Sequence, residues 1–455
     1  MYGTNHALAT RCVADAADPA ISFDVCLQHQ PDLHILRTQG APLRLHRMPD
    51  RMRKMQPSRA IPSVRRQVTQ SARLAHWLAS SLFLFGTGVT PAPAQPTARS
   101  DASARPVDAT VKKSPTSQPT SQRKLPRGFS HQTVRMPDGS KRKYVIFVPP
   151  QYAMNEAHRW PVIVCLHGSG EKGRDGFRHT TVGLPVQVAD RALSFPFIVV
   201  MPQAQQMWFR GEEAAAVWAI LEDVHARYRT DRDRVYLTGI SMGGIGTWEL
   251  AVIRPDVFAA IVPICGFAPK DYLRNIVDLP TWVFHGALDR NVPVSGSREA
   301  VDELKRLGGS PIYTEYPRLQ HKCWDEAYST PDLYRWMIRQ RRRPTPKVID
   351  YSFPGGISRV WWLAIEAAPS AKKPVHVHAE IKDDGRIEMT SEGVIGWAII
   401  SDADPLPAGR QIDVTWNGQH VYRGPFNGVL AYEPPDAARK TESTDARNTH
   451  DAPSG

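Results

Sequence analysis

One segment constrains this chain more than any other: Val235-Tyr-Leu-Thr-Gly239-Ile-Ser241-Met-Gly243-Gly244. A β-prone run passes straight into Gly-x-Ser-x-Gly, and residues 243–253 are compatible with a helix. This is the sequence form of a nucleophile elbow, a sharp strand-to-helix turn that exposes a serine hydroxyl. The serine backbone is held in an unfavourable conformation close to neighbouring chain, so its flanking positions must be small. Gly239 and Gly243 supply that room. Taken alone, Gly-x-Ser-x-Gly is also compatible with a tight structural turn.

The surrounding texture supplies a context. Residues 131–136 and 143–148 read as two strands around Asp138-Gly139, a hairpin signal. Apolar strands are then expected at 161–166, 196–201, 235–237, 259–264, 281–284 and 312–316. Helices are expected at 182–193, 211–228, 243–253, 296–307 and 325–340. Repeated alternation of continuous apolar strands with helices predicts an α/β fold with a largely parallel sheet covered on both faces. After Arg341-Arg-Arg-Pro344, here read as the solvated end of a helix, short alternating runs continue to residue 432. With turns at Asp384-Gly385 and Asn417-Gly418, they predict a small all-β sandwich over 347–432.

A serine nucleophile needs a base, and the base needs a carboxylate to orient it. On such a sheet the two arrive at later strand ends, in the order Ser, acid, His. Asp289 in His285-Gly-Ala-Leu-Asp289 is the expected acid, and His321 in Pro317-Arg-Leu-Gln-His321 the expected base. Asp325 follows His321 and stands in the wrong order. Asp289 could alternatively cap a helix. An electrophilic pocket is expected after the first buried strand, at His167-Gly168-Ser169-Gly170-Glu171. There Gly168 and Gly170 keep the loop open. The backbone N–H groups of Ser169 and Met242 are the expected oxyanion donors, with Gly170 an alternative to Ser169. His167 and His285 also end strands and read as loop supports. No H-x-H, HExxH or CxxC pattern joins these histidines, so no metal and no cofactor is expected. His376-x-His378 reads as a polar sheet face.

These motifs resemble the α/β-hydrolase superfamily, in its bacterial carboxylesterase, polyhydroxybutyrate-depolymerase-like and dienelactone-hydrolase-like branch. That branch includes predicted prolyl-oligopeptidase-family peptidases. The resemblance rests on His167-Gly-Ser-Gly-Glu171, Gly239-Ile-Ser-Met-Gly-Gly244, Val283-Phe-His-Gly-Ala-Leu-Asp289 and His321-Lys-Cys-Trp324. It implies a catalytic domain over 128–343 that hydrolyses esters, small or polymeric. Where relatives commonly carry a small polar pair after the histidine, Lys322-Cys323 stands here.

The N-terminal part follows a different logic. The chain has 455 residues and a formal net charge of +12, but its basic excess is concentrated in residues 51–130. The remainder is nearly neutral, which argues against a nucleic-acid partner. Arginines and lysines without acids precede Leu74-Ala-His-Trp-Leu-Ala-Ser-Ser-Leu-Phe-Leu-Phe85, and Ala92-Pro93-Ala94 follows. This pattern predicts a signal peptide over 55–94, with residues 1–54 an overextended start. The apolar core is too short for a stable membrane span of about 20 residues. A Pro/Ser/Thr-rich tether over 95–127 and a polar tail over 433–455 are expected to be disordered. Export would allow a bridge between Cys265 and Cys323.

The combined expectation is an exported serine esterase. Two rivals accompany it: a serine peptidase using the same residues, and a non-catalytic protein whose C-terminal module binds polysaccharide or cell wall. The last would need exposed rings among Trp361, Trp362, Trp397 and Trp416.

Overall fold

The computed structural model describes residues 128–208, 211–368, 373–401 and 405–433. The expected leader and tether, and the tail beyond residue 433, lie outside the described residues.

An antiparallel hairpin begins the fold. Strands β1 (Phe129–Arg135) and β2 (Lys141–Phe147) pair around Gly139, whose φ of +83° suits glycine. Asp138 accepts the Ser140 backbone N–H at 2.9 Å and closes the turn. Six further strands follow: β3 (Trp160–Leu166), β4 (Ile198–Pro202), β5 (Thr230–Ile240), β6 (Ala260–Ile264), β7 (Trp282–Gly286) and β8 (Ile312–Tyr316). The sheet order is β1-β2-β4-β3-β5-β6-β7-β8. Only the pairs involving β1 and β2 are antiparallel; β3 to β8 run parallel.

Every side chain of β3, β4 and β6 is buried, because helices cover both faces. On one side lie α2 (Glu212–Arg227), α3 (Met242–Ile253) and α4 (Ser295–Arg306), packing Val217, Ile220, Trp248, Val301 and Leu304 over the strands. On the other lie α1 (Leu184–Asp190), α5 (Trp324–Ser329) and α6 (Pro331–Arg339), contributing Leu184, Val188, Tyr328, Leu333 and Met337. Each such aliphatic or aromatic side chain removed from water contributes about 1.5–3 kcal/mol before entropy is counted.

Two expectations are corrected. The single helix over 325–340 is broken at Thr330, which is extended because Pro331 follows it. Arg341, Arg342 and Arg343 lie beyond the helix, which ends at Arg339; Arg341 and Arg343 are exposed, and the three pair with Asp231, Asp233 and Asp278 respectively.

The β-rich region adds β9 (Val348–Phe353), β10 (Gly356–Val360), β11 (Leu363–Ala367), β12 (Val375–Ile381), β13 (Arg386–Ser391), β14 (Val394–Ile400), β15 (Gln411–Trp416), β16 (Gln419–Pro425) and β17 (Val429–Tyr432). They form two sheets, β10-β11-β14-β17 and β16-β15-β13-β12-β9. They enclose a core of their own that includes Tyr351, Trp362, Ile387 and Trp397. It is seated on the α/β unit. Buried Asn275 donates to the carbonyls of Val252 and Ser352 and accepts the Ser352 N–H, while Tyr351 donates to the Ile253 carbonyl. Trp362 and Trp397 are core residues, and Trp361 and Trp416 are half-buried. These four rings therefore form no exposed aromatic platform of the kind a glycan would stack on. His376 pairs with Asp350 at 3.0 Å, as a polar sheet face would.

Candidate active site

Ser241 stands between β5 and α3 with φ +54° and ψ −118°, a conformation that few non-glycine residues adopt. The turn is held by backbone: the Ser241 N–H donates to the Ile264 carbonyl at 3.0 Å, and its carbonyl accepts from Ile245. Its tightness depends on glycines. A methyl group at Gly239 would lie 2.3 Å from the Gly243 oxygen, and one at Gly243 would lie 2.2 Å from the Leu166 oxygen. Gly244 meets the Ile264 oxygen in the same way. Substituting Gly243 with Ala is therefore expected to lower stability by about 3 kcal/mol or more, since rigid backbone must give way. Urea unfolding would measure this; a loss below about 1 kcal/mol would show that the crossing can relax.

The ends of β7 and β8 bring the partners. Ser241 Oγ donates to His321 Nε2 at 2.9 Å, and His321 Nδ1 donates to Asp289 Oδ2 at 2.7 Å. Asp289 is buried, and its other oxygen accepts the backbone N–H groups of Asn291 and Val292 at 2.8 and 2.9 Å. Burial opposes the carboxylate's charge. The hydrogen bonds from His321, Val292 and Asn291 outweigh that and hold Asp289 below the usual carboxylate range. With the carboxylate on Nδ1, the His321 proton sits there and Nε2 is free to accept. Asp325 pairs instead with Lys322 and takes no part.

The loop after β3 flanks the same turn. Gly168 lies against Ile240, and Gly243 against the carbonyls of Leu166 and His167. Ser169 and Met242 each begin a helical segment, Ser169–Glu171 and α3, so neither amide has a carbonyl acceptor within its own helix. Gly170 differs from the other motif glycines: a methyl group there would meet nothing within 4 Å, so close packing does not require it. His167 braces the loop, donating from Nδ1 to the Gly168 carbonyl at 2.6 Å and accepting the Ala204 N–H at 2.9 Å.

Burial pushes the His167 pKa down to about 4 and that of neighbouring His179 down to about 3. Both rings are neutral in the fold but take up protons near pH 6.5 when unfolded. Their folded-state values are depressed, so the stability is full above pH 6.5 and drains away as pH falls towards 4. The expected loss is roughly 1.4 kcal/mol per pH unit for each ring. Urea titrations at pH 7 and pH 5 would check it, and equal midpoints would contradict it.

One feature escaped the sequence reading, and the bridge allowed between Cys265 and Cys323 is corrected. His285 touches Asp289 as well, through Nε2 at 3.1 Å; its position four residues upstream at a strand end was the available signal. Cys265 and Cys323 are buried and unbridged, with their thiols in hydrogen-bonding contact. Cys265 Sγ lies within 4.8 Å of ligand atoms on Asp289 and His321, and its φ is +42°. Two distant strand ends create that proximity, which no local motif encodes.

Residues 142–279 match the Esterase PHB depolymerase family, a stretch that contains Ser241 and ends before Asp289. The chain is 36% identical over 200 residues to poly(3-hydroxyalkanoate) depolymerase C of Paucimonas lemoignei, covering 33% of this chain and 48% of that protein. It is 24% identical over 164 residues to the putative esterase NocK of Nocardia uniformis subsp. tsuyamanensis, covering 33% and 46%. It thus spans about half the length of these curated relatives. A crystal structure described as a thermostable esterase aligns over 47% of this chain and 63% of its own, at 31% identity and a TM-score of 0.44. The family match over residues 142–279, these partial relatives and the sheet that carries Ser241 agree: this region has an α/β-hydrolase fold and is similar to esterases.

Proposed function

We propose that this protein is an exported serine hydrolase that cleaves carboxylic esters through Ser241, His321 and Asp289. One observation carries the reading: the continuous hydrogen-bonded chain from Ser241 Oγ through His321 to Asp289, at 2.9 and 2.7 Å. His321 Nε2 takes the hydroxyl proton as Oγ bonds to the ester carbonyl carbon. The resulting oxyanion accepts from the Ser169 and Met242 amides, donors worth about 3–4 kcal/mol each in comparable sites. His321 then returns the proton to the leaving alcohol, and an acyl-enzyme remains. Water, deprotonated by the same ring, releases the acid. Asp289 stays ionised throughout, fixing the Nδ1–H tautomer and balancing the imidazolium.

The rim favours an apolar acyl or polyester chain. Met207, Phe267 and Leu288 are exposed in loops after the C-terminal ends of β4, β6 and β7, and Trp324 packs edge-on against His321. Support for ester or polymeric ester substrates also comes from the depolymerase relative. Export rests on the leader pattern. No helix among the described residues is long and apolar enough to cross a membrane.

A panel of aryl esters, a soluble polyester suspension and a chromogenic peptide would test the assignment. Ester turnover with a pre-steady-state burst of alcohol is the expected result. Turnover of the peptide alone would transfer the same residues to amide hydrolysis, and turnover of nothing would contradict the proposal.

A further inference from the structure

Two imidazoles touch Asp289, and the reaction above uses only one. The second, His285, lies in β7 four residues before Asp289 and is fully buried. Its Nε2 faces the Asp289 carboxylate at 3.1 Å and the Val292 carbonyl at 3.0 Å. Neither of these groups can donate, so Nε2 must carry the ring proton. Its Nδ1 faces the buried Ser297 hydroxyl at 2.7 Å, and that hydroxyl lies 2.9 Å from the Gly266 carbonyl. Ser297 has a single hydroxyl hydrogen for two acceptors. The two acceptors at Nε2 therefore fix the tautomer of the neutral ring, and the Ser297 hydroxyl, shared between Nδ1 and the Gly266 carbonyl, holds the ring in place. Burial pulls the His285 pKa below the usual imidazole value, which favours this neutral form.

Every acceptor position of Asp289 is then occupied. Oδ1 receives two backbone amides, and Oδ2 receives one N–H from each imidazole. We propose that His285 is a positioning residue for ester hydrolysis: its Nε2–H, on a ring held in place by Ser297, locks the Asp289 carboxylate in the orientation that His321 requires. This rests on the role given above to Ser241, Asp289 and His321. Without the second donor, Oδ2 keeps a buried lone pair unpaired, and the carboxylate can rotate about its last bond. His285 is linked to Ser241 only through Asp289 and His321 in the hydrogen-bonded chain, so its loss should affect turnover and not substrate binding.

The test uses the full chain carrying H285F, which fills the space without an N–H, and H285Q, which returns an amide N–H near the position of Nε2. H285F is expected to lower kcat by about 30-fold or more with KM within about twofold, as misplacement of a reacting group does. H285Q is expected to recover to within about fivefold of the parent. A kcat within about threefold of the parent in H285F would overturn the proposal, as would equal losses in H285F and H285Q. If H285F does not fold, Ser297→Ala decides, with a fall in kcat of about fivefold at constant KM expected and an unchanged kcat contradictory. Labelling of the parent by a fluorophosphonate separates the two levels. A parent that is not labelled at Ser241 overturns the reading beneath this one, and both fall together. A labelled parent with a fully active H285F overturns His285 alone.

Discussion

Replacing Ser241 with Ala is expected to lower kcat on an aryl ester by about 10⁴-fold or more, with little change in KM. In the proposed reaction the hydroxyl oxygen is the atom that becomes bonded to the acyl group. Cys265 lies within 4.8 Å of His321, but it is completely buried and burial holds its thiol protonated, well above the usual range. Any residual rate would come from the oxyanion donors and substrate binding, which survive the change. Folding should be unaffected, because the turn is fixed by the Ser241 N–H and by glycine contacts, not by its side chain. Steady-state kinetics together with a thermal melt would check both statements. A variant that keeps more than a tenth of parent activity would remove Ser241 from the reaction.

The second large effect concerns Asp289→Asn, for which a loss of about 10⁴-fold in kcat near neutral pH is expected. The reason is a conflict of donors. The parent carboxylate accepts four hydrogen bonds, two on each oxygen. An amide has one accepting end. If its oxygen keeps the amides of Asn291 and Val292, its NH₂ faces His321 Nδ1 and His285 Nε2. His321 must then move its proton to Nε2, where it can no longer accept from Ser241. If the amide flips, its oxygen accepts from His321 and His285, but its NH₂ meets the N–H groups of Asn291 and Val292 and leaves both buried donors without an acceptor. That donor clash disfavours the flipped form, and the favoured orientation disables the base. Kinetics should show the fall in kcat with KM nearly constant, and a loss below about 100-fold would mean that the carboxylate does not set the His321 tautomer.

Much of this arrangement was legible because it follows strand ends. A parallel sheet gathers the loops after β3, β5, β7 and β8 at one edge. The motifs at residues 167–171, 239–244, 285–289 and 317–321 therefore meet although His321 lies 80 positions from Ser241. Glycine chemistry was legible where backbone crosses backbone, at Gly239 and Gly243, and misleading at Gly170, which has open space. Pairings across the fold were not legible. The exposure of Arg341 and Arg343 was read correctly, but the partners Asp231, Asp233 and Asp278 are far away in sequence. Cys265 and Cys323 were read as a possible bridge; the end of β6 and the loop after β8 do bring them together, but both thiols are free. The break at Pro331 was local and readable, but the continuing apolar period of residues 325–340 masked it.

The most direct measurement is peptide mass analysis of the full chain after treatment with a fluorophosphonate ester. The account expects one phosphonyl adduct, on the peptide containing Ser241, absent from Ser241→Ala and strongly slowed in His321→Ala. Ester turnover by a protein that carries no adduct at Ser241, or equal labelling of parent and Ser241→Ala, would contradict it.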